Sequence, residues 1–304
     1  MALLPPSPKT QKKLKEALYQ DPDTTARDVQ HIKDWLAKQP HLPPVNDDVW
    51  LERFLYGCKY RLAKCKAVLD MYYTVRGAVP ELYSNRDPLD SDVVQMSKTV
   101  FVSPVPRLTP AGRRLTFLGL LDADPARWDL QAQARRSLML ADLHLQLESC
   151  LGVEYVCDLQ GVSLAHVARS PPALVRRFLL CFQDAFPVRI KGLHFINAPV
   201  FVDAILSVFK PFLKEKIRNR IHIHSSLESL YDLFPRDMLP NEYGGQAGSV
   251  REMNDWWQNK MVEMRDWFLS EQDKKADEQK RLGKIANGEN LFGLDGSFKT
   301  LAID

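Results

Sequence analysis

The sequence predicts an α/β protein in which a helical N-terminal unit precedes a largely parallel sheet. Two patterns support this prediction. Apolar segments with strand-like spacing alternate with helical segments between about residues 100 and 223, as in βαβ units. The first 80 residues show only helical spacing. In addition, the 304 residues, 45% of them hydrophobic and 26% charged, are enough to form a sizeable core.

The N-terminal unit is predicted to contain four helices. The second helix places Val29, Ile32 and Leu36 on one face, and prolines at 40, 43 and 44 end it. The predicted helices run from about Pro8 to Tyr19, from an N-cap at Thr24 or Thr25, from an N-cap at Asn46, and from Leu62 to Arg76.

The sheet strands follow in order, and helices separate all but the first two. Thr109-Pro110-Ala111-Gly112 predicts the turn that joins the first strand to the second. The predicted strands are Val100–Val105, Leu115–Leu121, Val153–Leu159, Ile190–Ile196 and Arg220–Ile223, and the predicted helices are Leu130–Leu151, Pro171–Ala185 and Val200–Phe209.

A last helix carries Trp256, Trp257, Trp267 and Phe268, and a charged stretch from Glu271 to Arg281 follows it. An apolar tail with Leu291, Phe292, Gly293, Leu294, Phe298 and Ile303 is predicted to pack on the body of the protein. We therefore expect a helical unit at 1–85, a sheet domain at 86–275 and a packed tail at 276–304.

Composition excludes several classes of protein. A net charge of +3 is too small to favour nucleic-acid binding. Five cysteines without metal-ligand spacing indicate free thiols in a reducing compartment. The start MALLPPSPKT lacks the features of a secretory leader, and no apolar run is long enough to cross a bilayer. A monomeric cytosolic protein is expected.

Catalytic and cofactor motifs are not evident, so no cofactor is predicted. Gly244–Gly248 is Gly-rich, but it does not follow a strand and indicates a turn. His222 and His224 share one face of a predicted strand, and His194 lies on a neighbouring one. A metal site there is conceivable, but no carboxylate or cysteine stands at ligand spacing, so structural histidines are favoured.

The segment from Val200 to Phe209 is apolar around most of its helical circumference. Asp203 and Ser207, followed by Lys210 and Lys214, form a narrow polar stripe. This pattern fits a core helix that covers the sheet, or a movable lid between an apolar ligand and a membrane.

Basic residues cluster on both sides of this helix. Arg189 and Lys191 begin one predicted strand, and Lys210, Lys214, Lys216, Arg218 and Arg220 follow the apolar helix. Such a charge run is often a solvated face, but beside an apolar lid it would attract an anionic membrane surface.

Four segments resemble the CRAL-TRIO lipid-binding family, within it the branch of α-tocopherol transfer protein and cellular retinaldehyde-binding protein. They are FLYGCKYRLAKCKAVLDMYYTVR (54–76), VEYVCDLQGVS (153–163), FPVRIKGLHFINAPVFVDAILSVFKPFLKEKIRNRIHIH (186–224) and LFPRDMLPNEYGG (233–245). The resemblance covers roughly residues 25–270. It implies a helical N-terminal unit on a lipid-binding domain whose sheet is the floor of a cavity closed by a gate helix, here Val200–Phe212.

The resemblance also assigns site residues. Phosphoinositide-binding positions fall on Arg189, Lys191, Lys216 and Arg220. Cavity positions fall on Ser137, Ala141, Val153, Cys157, Phe178, Cys181, Phe182, Phe186, Leu193, Val202, Ile205, Val208 and Phe209. Strand alternation adds Tyr155 to the same face as Val153 and Cys157, and for each of these residues core packing is an alternative. Ala141, Cys157 and Phe182 depart from the family's pattern, which leaves the identity of the ligand open.

Two main functions remain from the sequence. The first is a carrier that moves a tocopherol-, retinoid- or carotenoid-like lipid at phosphoinositide membranes without catalysing a reaction. The second is a lipid-sensing module that regulates membrane traffic or signalling through a partner. An enzyme that uses His194, His222 or Asp158 is the weakest alternative.

Overall fold

The computed structural model of the protein describes residues 3–17, 21–283 and 291. In these residues the strands are β1 (Val100–Pro104), β2 (Arg114–Leu120), β3 (Val153–Asp158), β4 (Ile190–Ile196) and β5 (Ile221–Ile223). The α-helices are α1 (Pro8–Ala17), α2 (Pro22–Leu36), α3 (Asp48–Gly57), α4 (Leu62–Ala78), α5 (Pro80–Tyr83), α6 (Ser91–Thr99), α7 (Leu130–Leu147), α8 (Leu164–Ala168), α9 (Pro172–Asp184), α10 (Val202–Phe209), α11 (Glu215–Arg218), α12 (Glu228–Tyr231), α13 (Val250–Glu263) and α14 (Arg265–Ser270).

Each of the helices α2 and α3 is capped by the aspartate that immediately precedes it. Asp21, rather than Thr24 or Thr25, caps α2, and Asp47, rather than Asn46, caps α3. In each case the carboxylate accepts a hydrogen bond of 3.0 Å from the backbone N–H of the third helical residue. The negative carboxylate also interacts favourably with the positive end of the helix dipole. Both interactions explain why each helix begins at the residue after its aspartate.

An aromatic cluster joins the N-terminal helices to the rest of the protein. The Tyr72 ring on α4 lies edge-on to Trp50, Phe54, Tyr73 and Phe186, at centroid distances between 5.1 and 5.8 Å. Phe186 stands between α9 and β4. The N-terminal helices and α9 therefore share one continuous hydrophobic core.

A buried ionic network crosses the same boundary. The carboxylate of Asp142 on α7 is fully buried and receives hydrogen bonds from Arg86, from Arg76 at 3.1 Å and from the hydroxyl of Tyr72 at 2.7 Å. Asp142 thereby ties α7 to α4 and to the segment that follows α5.

The sheet has the strand order β1-β2-β3-β4-β5, antiparallel between β1 and β2 and parallel throughout the rest. This arrangement confirms the predicted α/β class. Strand alternation directs Val156 of β3 into a hydrophobic core on one face of the sheet. Tyr155 and Cys157 point to the other face, where the candidate site lies.

Several elements differ from their sequence predictions. The last predicted helix is two helices, α13 and α14, which meet at Met264. Ser249 and Glu252 form a capping box that begins α13. The short helices α5, α6 and α8 were not predicted, because short segments carry too few apolar repeats to show a period.

The start of the C-terminal stretch binds the N-terminal helices. The backbone N–H of Ala276 donates to the carbonyl of Tyr73 at 2.9 Å, and Arg281 binds the carboxylate of Asp70 through two nitrogens at 2.8 and 3.0 Å. Leu291 is buried. The other residues of the apolar tail, Phe292, Gly293, Leu294, Phe298 and Ile303, lie outside the described residues.

Among the helices that the structure describes, none has the length and apolarity needed to cross a membrane.

Candidate functional site

A cavity of about 380 Å³ lies between the sheet and helices α7, α9 and α10. This volume is within the range of small-molecule sites. The predicted cavity residues that line it are Ser137, Ala141, Val153, Tyr155, Cys157, Phe178, Phe182, Leu193, Ile205, Val208 and Phe209. Its wall is almost entirely apolar, so it suits a hydrophobic ligand.

Three residues predicted for the cavity do not line it. Cys181 and Phe186 are buried in the core shared with the N-terminal helices, because their side of α9 and its C-terminal end face α4. Val202 stands at the N-terminus of α10, half-exposed. The helical spacing of α9 could not show which apolar face meets the cavity.

Helix α10 closes one side of the cavity. Ile205 and Leu206 are buried and face inward, while Asp203, Ala204 and Ser207 are exposed. The helix has no side-chain N-cap, and a short 3-10 helix, Lys210–Phe212, continues it. The two helices together span residues 202–212, so the segment begins two residues later than the predicted gate of 200–212, and its apolar inner face covers the cavity.

Burial raises the pKa values of two ionisable side chains in the cavity wall. It raises the pKa of the Cys157 thiol to about 12, so this sulfur stays protonated at neutral pH. Burial likewise raises the pKa of Tyr155 well above its ordinary value. Neither group is an activated nucleophile.

Polar residues of the cavity wall were missed at the sequence level. They include Gln133, His166, Ser170 and Gln183. Gln133 stands four residues before Ser137, so helical spacing could have placed it on the same face. His166 lies on α8, which was not predicted, so nothing in the sequence pointed to it.

A cluster of cations lies where strands β2, β4 and β5 begin. Burial and the neighbouring charges of Arg113, Arg220, Arg189 and Lys59 lower the pKa of Lys191. Like charges at close range destabilise one another, so their accumulation marks a candidate anion site.

The four predicted phosphoinositide residues differ in their surroundings. Arg189 donates to the carbonyl of Cys150 at 3.0 Å, and Arg220 donates to the carbonyl of Ile190. Lys216 is exposed on α11, four residues before Arg220. Arg189 and Arg220 therefore lie close enough to Lys191 to act on its charge, whereas Lys216 is not among the charges that do so.

Comparison with known proteins matches both parts of the fold. Residues 100–245 match the family model described as the CRAL/TRIO domain, and residues 21–93 match a Pinta-like UBA domain. The human protein named "Alpha-tocopherol transfer protein-like" is 31% identical over 263 residues, which cover 85% of this chain and 76% of that protein. The chain belongs to the CRAL-TRIO family.

Other CRAL-TRIO proteins give consistent similarities. The mouse "Alpha-tocopherol transfer protein-like" is 33% identical over 242 residues, 78% of this chain and 70% of that protein. Human "Clavesin-2" is 30% identical over 257 residues, 82% of this chain and 77% of that protein. The solved structure "Crystal structure of Sfh5" has a TM-score of 0.50 at 13% identity, covering 82% of this chain and 91% of that one, and supports the fold alone.

Three histidines of this CRAL-TRIO domain, His194, His222 and His224, lie on the sheet face opposite the cavity. His194 Nδ1 is 3.0 Å from His224 Nε2, and the rings of His194 and His222 stack at 5.0 Å. Contrary to the sequence expectation, a carboxylate accompanies them: Glu154 on the neighbouring strand lies 3.4 Å from His194 and also binds Arg113. Among the described residues no set of side chains is arranged to hold a metal ion.

Asp158, the remaining catalytic alternative, has structural partners. Its carboxylate accepts hydrogen bonds from the Tyr243 hydroxyl at 2.8 Å and from the Asn197 amide at 2.8 Å. These bonds fix the loops that follow β3 and β4.

Proposed function

We propose that the chain is a monomeric cytosolic carrier that holds one hydrophobic lipid in the cavity and exchanges it at phosphoinositide-containing membranes, without catalysing a reaction. The observation that carries this proposal is the apolar cavity under α10 in a CRAL-TRIO domain. The names of the relatives support a tocopherol-like ligand, and retinoids and carotenoids are similarly apolar alternatives.

The energetics favour exchange at a membrane rather than release into water. A ligand that buries roughly 400 Å² of apolar surface gains about 10 kcal/mol at ~25 cal/mol per Å². Such a gain lowers the equilibrium constant for release of the ligand into water by about seven orders of magnitude. A membrane at the opening offers the ligand an apolar destination, so it removes most of this barrier.

The cation cluster would supply the membrane contact. Arg189, Arg220, Lys59 and Arg113 act on the charge of Lys191, and Lys216 is exposed on α11, four residues before Arg220. The multiple phosphates of a phosphoinositide headgroup would offset the repulsion among these cations. Each basic residue near an anionic surface contributes about 1 kcal/mol, which is enough to dock the protein reversibly.

Two measurements test the proposal. Mass spectrometry of lipids that co-purify with the protein from its native cytosol should identify one hydrophobic ligand. Transfer of that ligand from donor to acceptor vesicles should then be faster when the acceptors contain phosphatidylinositol bisphosphate. Stable binding with no transfer, together with a protein partner that recognises only the loaded state, would instead support the lipid-sensing module.

A further inference from the structure

A continuous chain of hydrogen-bonding groups runs across the sheet face that lies opposite the cavity. The carboxylate of Glu154 on β3 lies 3.4 Å from Nε2 of His194 on β4, and Nδ1 of His194 lies 3.0 Å from Nε2 of His224. Nδ1 of His224 lies 2.6 Å from the Ser229 hydroxyl, which lies 2.7 Å from the carbonyl oxygen of Ser226. This histidine chain therefore joins β3 to helix α12 through two imidazole rings.

The histidine chain needs one more proton than its neutral side chains possess. An ionised carboxylate and a carbonyl oxygen only accept hydrogen bonds, whereas a neutral imidazole and a hydroxyl each carry one proton. With both rings neutral, His194, His224 and Ser229 supply three protons to four contacts. One contact must then bring two acceptors together, which costs free energy. A fourth proton completes every hydrogen bond of the chain.

The directions of the hydrogen bonds place the added proton on His194. A carbonyl cannot donate, so the Ser229 hydroxyl donates to Ser226 and accepts from Nδ1 of His224. Nε2 of His224 must then accept from Nδ1 of His194, while Nε2 of His194 donates to Glu154. His194 thus carries two protons, as an imidazolium beside a carboxylate. Burial and the charges of the two neighbouring histidines lower the pKa of His224, which keeps the second ring of the chain neutral.

The packing around His194 fixes its ring against Glu154. The ring stacks on that of His222 at 5.0 Å and meets the ring of Phe234 edge-on at 5.3 Å, and His194 is only 4% exposed. A Cβ atom at Gly192 would overlap both the Glu154 carboxylate and Nε2 of His194, so the glycine leaves the space in which these two groups meet. The titratable groups that face the two rings of the chain are therefore Glu154 from β3 and His222 from β5.

Glu154 links the histidine chain to the cation cluster. Its other carboxylate oxygen binds the guanidinium of Arg113, which is 38% exposed and whose charge acts on Lys191. Burial acts to raise the pKa of Glu154, but the hydrogen bonds of His194 and Arg113 lower it overall, so this carboxylate is ionised at neutral pH. When His194 becomes an imidazolium, it shares the negative charge of Glu154, and Arg113 is held less firmly. Arg113 is then freer to bind another anion.

We infer that the histidine chain is a proton-binding site that regulates the cation cluster: a proton bound on His194, between Glu154 and His224, strengthens binding of a phosphoinositide headgroup through Arg113. The added positive charge and the weaker hold of Glu154 on Arg113 act in the same direction. Headgroup affinity therefore rises as the pH falls through the range in which histidine titrates. Linkage requires that a bound headgroup also raises the affinity of His194 for its proton. This inference rests on the proposed function, because it concerns the regulation of the same membrane surface.

Two measurements on the full chain test the inference. NMR of the imidazole nitrogens from about pH 8 to about pH 5, without membranes, should show His194 gaining a proton while His224 stays neutral. Co-sedimentation with phosphatidylcholine vesicles that contain phosphatidylinositol bisphosphate is then followed over the same range. Because the lipid phosphates also titrate there, the parent and each variant are compared on the same vesicles. Relative to His194→Asn, the parent should gain about fivefold in affinity, the effect of one basic charge near an anionic surface.

Variants separate the proton site from a general effect of histidine charge. His194→Asn removes the proton site, and His224→Asn removes the ring that accepts from it; each should lose the fivefold gain. His224 is the less buried of the two, so its variant tests the chain even if His194→Asn fails to fold. The matched control is His222→Asn, which removes a histidine of the same sheet face that lies outside the four contacts and should keep the gain. Arg113→Gln should weaken binding at every pH and lose the gain as well.

The possible failures are distinguishable. A parental gain in folded His194→Asn or His224→Asn, or a His194 ring that stays neutral throughout the NMR titration, would overturn the inference and leave the carrier function intact. An equal loss in His222→Asn would also overturn it, because the effect would then belong to histidine charge in general. Absence of phosphoinositide-dependent binding by the parent at every pH would overturn both the inference and the membrane step of the proposed function.

Discussion

Neutralising two lysines of the candidate membrane surface should weaken vesicle binding without disturbing the fold. Lys191 and Lys216 have no side-chain hydrogen bond to another residue in the described part of the chain, whereas Arg189 and Arg220 each hold a backbone carbonyl. The double variant Lys191→Gln/Lys216→Gln therefore removes charge and leaves those internal hydrogen bonds in place. At about 1 kcal/mol for each basic residue, the loss is about 2 kcal/mol, or roughly 30-fold in vesicle affinity.

A matched control separates this local effect from net charge. Lys38→Gln/Lys98→Gln also lowers the net charge from +3 to +1, but it changes exposed lysines on α6 and just after α2. Co-sedimentation with phosphatidylcholine vesicles, with and without phosphatidylinositol bisphosphate, should show the loss only for Lys191→Gln/Lys216→Gln. The difference should shrink at high salt, because surface charges are screened. Equal binding by both double variants would refute the assignment of the surface.

Three further predictions concern the cavity and the core. Phe209→Asp puts a charge at the half-buried edge of the cavity and should speed ligand loss at least tenfold; unchanged retention in a vesicle assay would remove Phe209 from the gate. Asp142→Ala leaves two buried arginines without their anion and should lower the free energy of unfolding by about 3–5 kcal/mol in urea; a loss below ~1 kcal/mol would show the network to be dispensable. Burial acts to raise the pKa of Glu148, but the hydrogen bonds and charges of His144 and Arg114 lower it to about 2. The ionised Glu148 carboxylate contributes about 3 kcal/mol to the free energy of unfolding above pH ~4.5, and this contribution is lost as the pH falls towards 2. Glu148→Gln should therefore flatten the acid-denaturation profile over that interval, and an unchanged profile would contradict this.

The sequence predicts the sheet better than the helix ends. The bounds of β4 agree with the predicted Ile190–Ile196, because a strand with helices on either side has a clear change of period at both ends. The predicted cap of α2 was three or four residues too late and that of α3 one residue too early, since Asp21 and Asp47 stand near other good capping residues. Tertiary packing, which the local sequence does not contain, decides between such neighbours.

At the candidate site, too, strand residues were predicted better than helix residues. Strand alternation correctly places Tyr155 and Cys157 on one face, because a period of two leaves only two choices. Helix α9 offers several apolar faces, and its spacing could not distinguish Phe182, which lines the cavity, from Cys181, which lies in the core. His166 could not be found from the sequence, because it lies on α8, which is too short to show a helical period.

The cation cluster and the cavity are built on the same strands, only a few residues apart. On β4, Lys191 belongs to the cluster and Leu193 lines the cavity, and Arg220 of the cluster directly precedes the lining residue Ile221. Leu193 and Ile221 are register partners in the sheet. A headgroup that shifts the start of either strand would therefore shift the cavity floor with it, because paired strands move together. We expect headgroup binding and ligand release to be coupled through these two strands rather than through α10 alone.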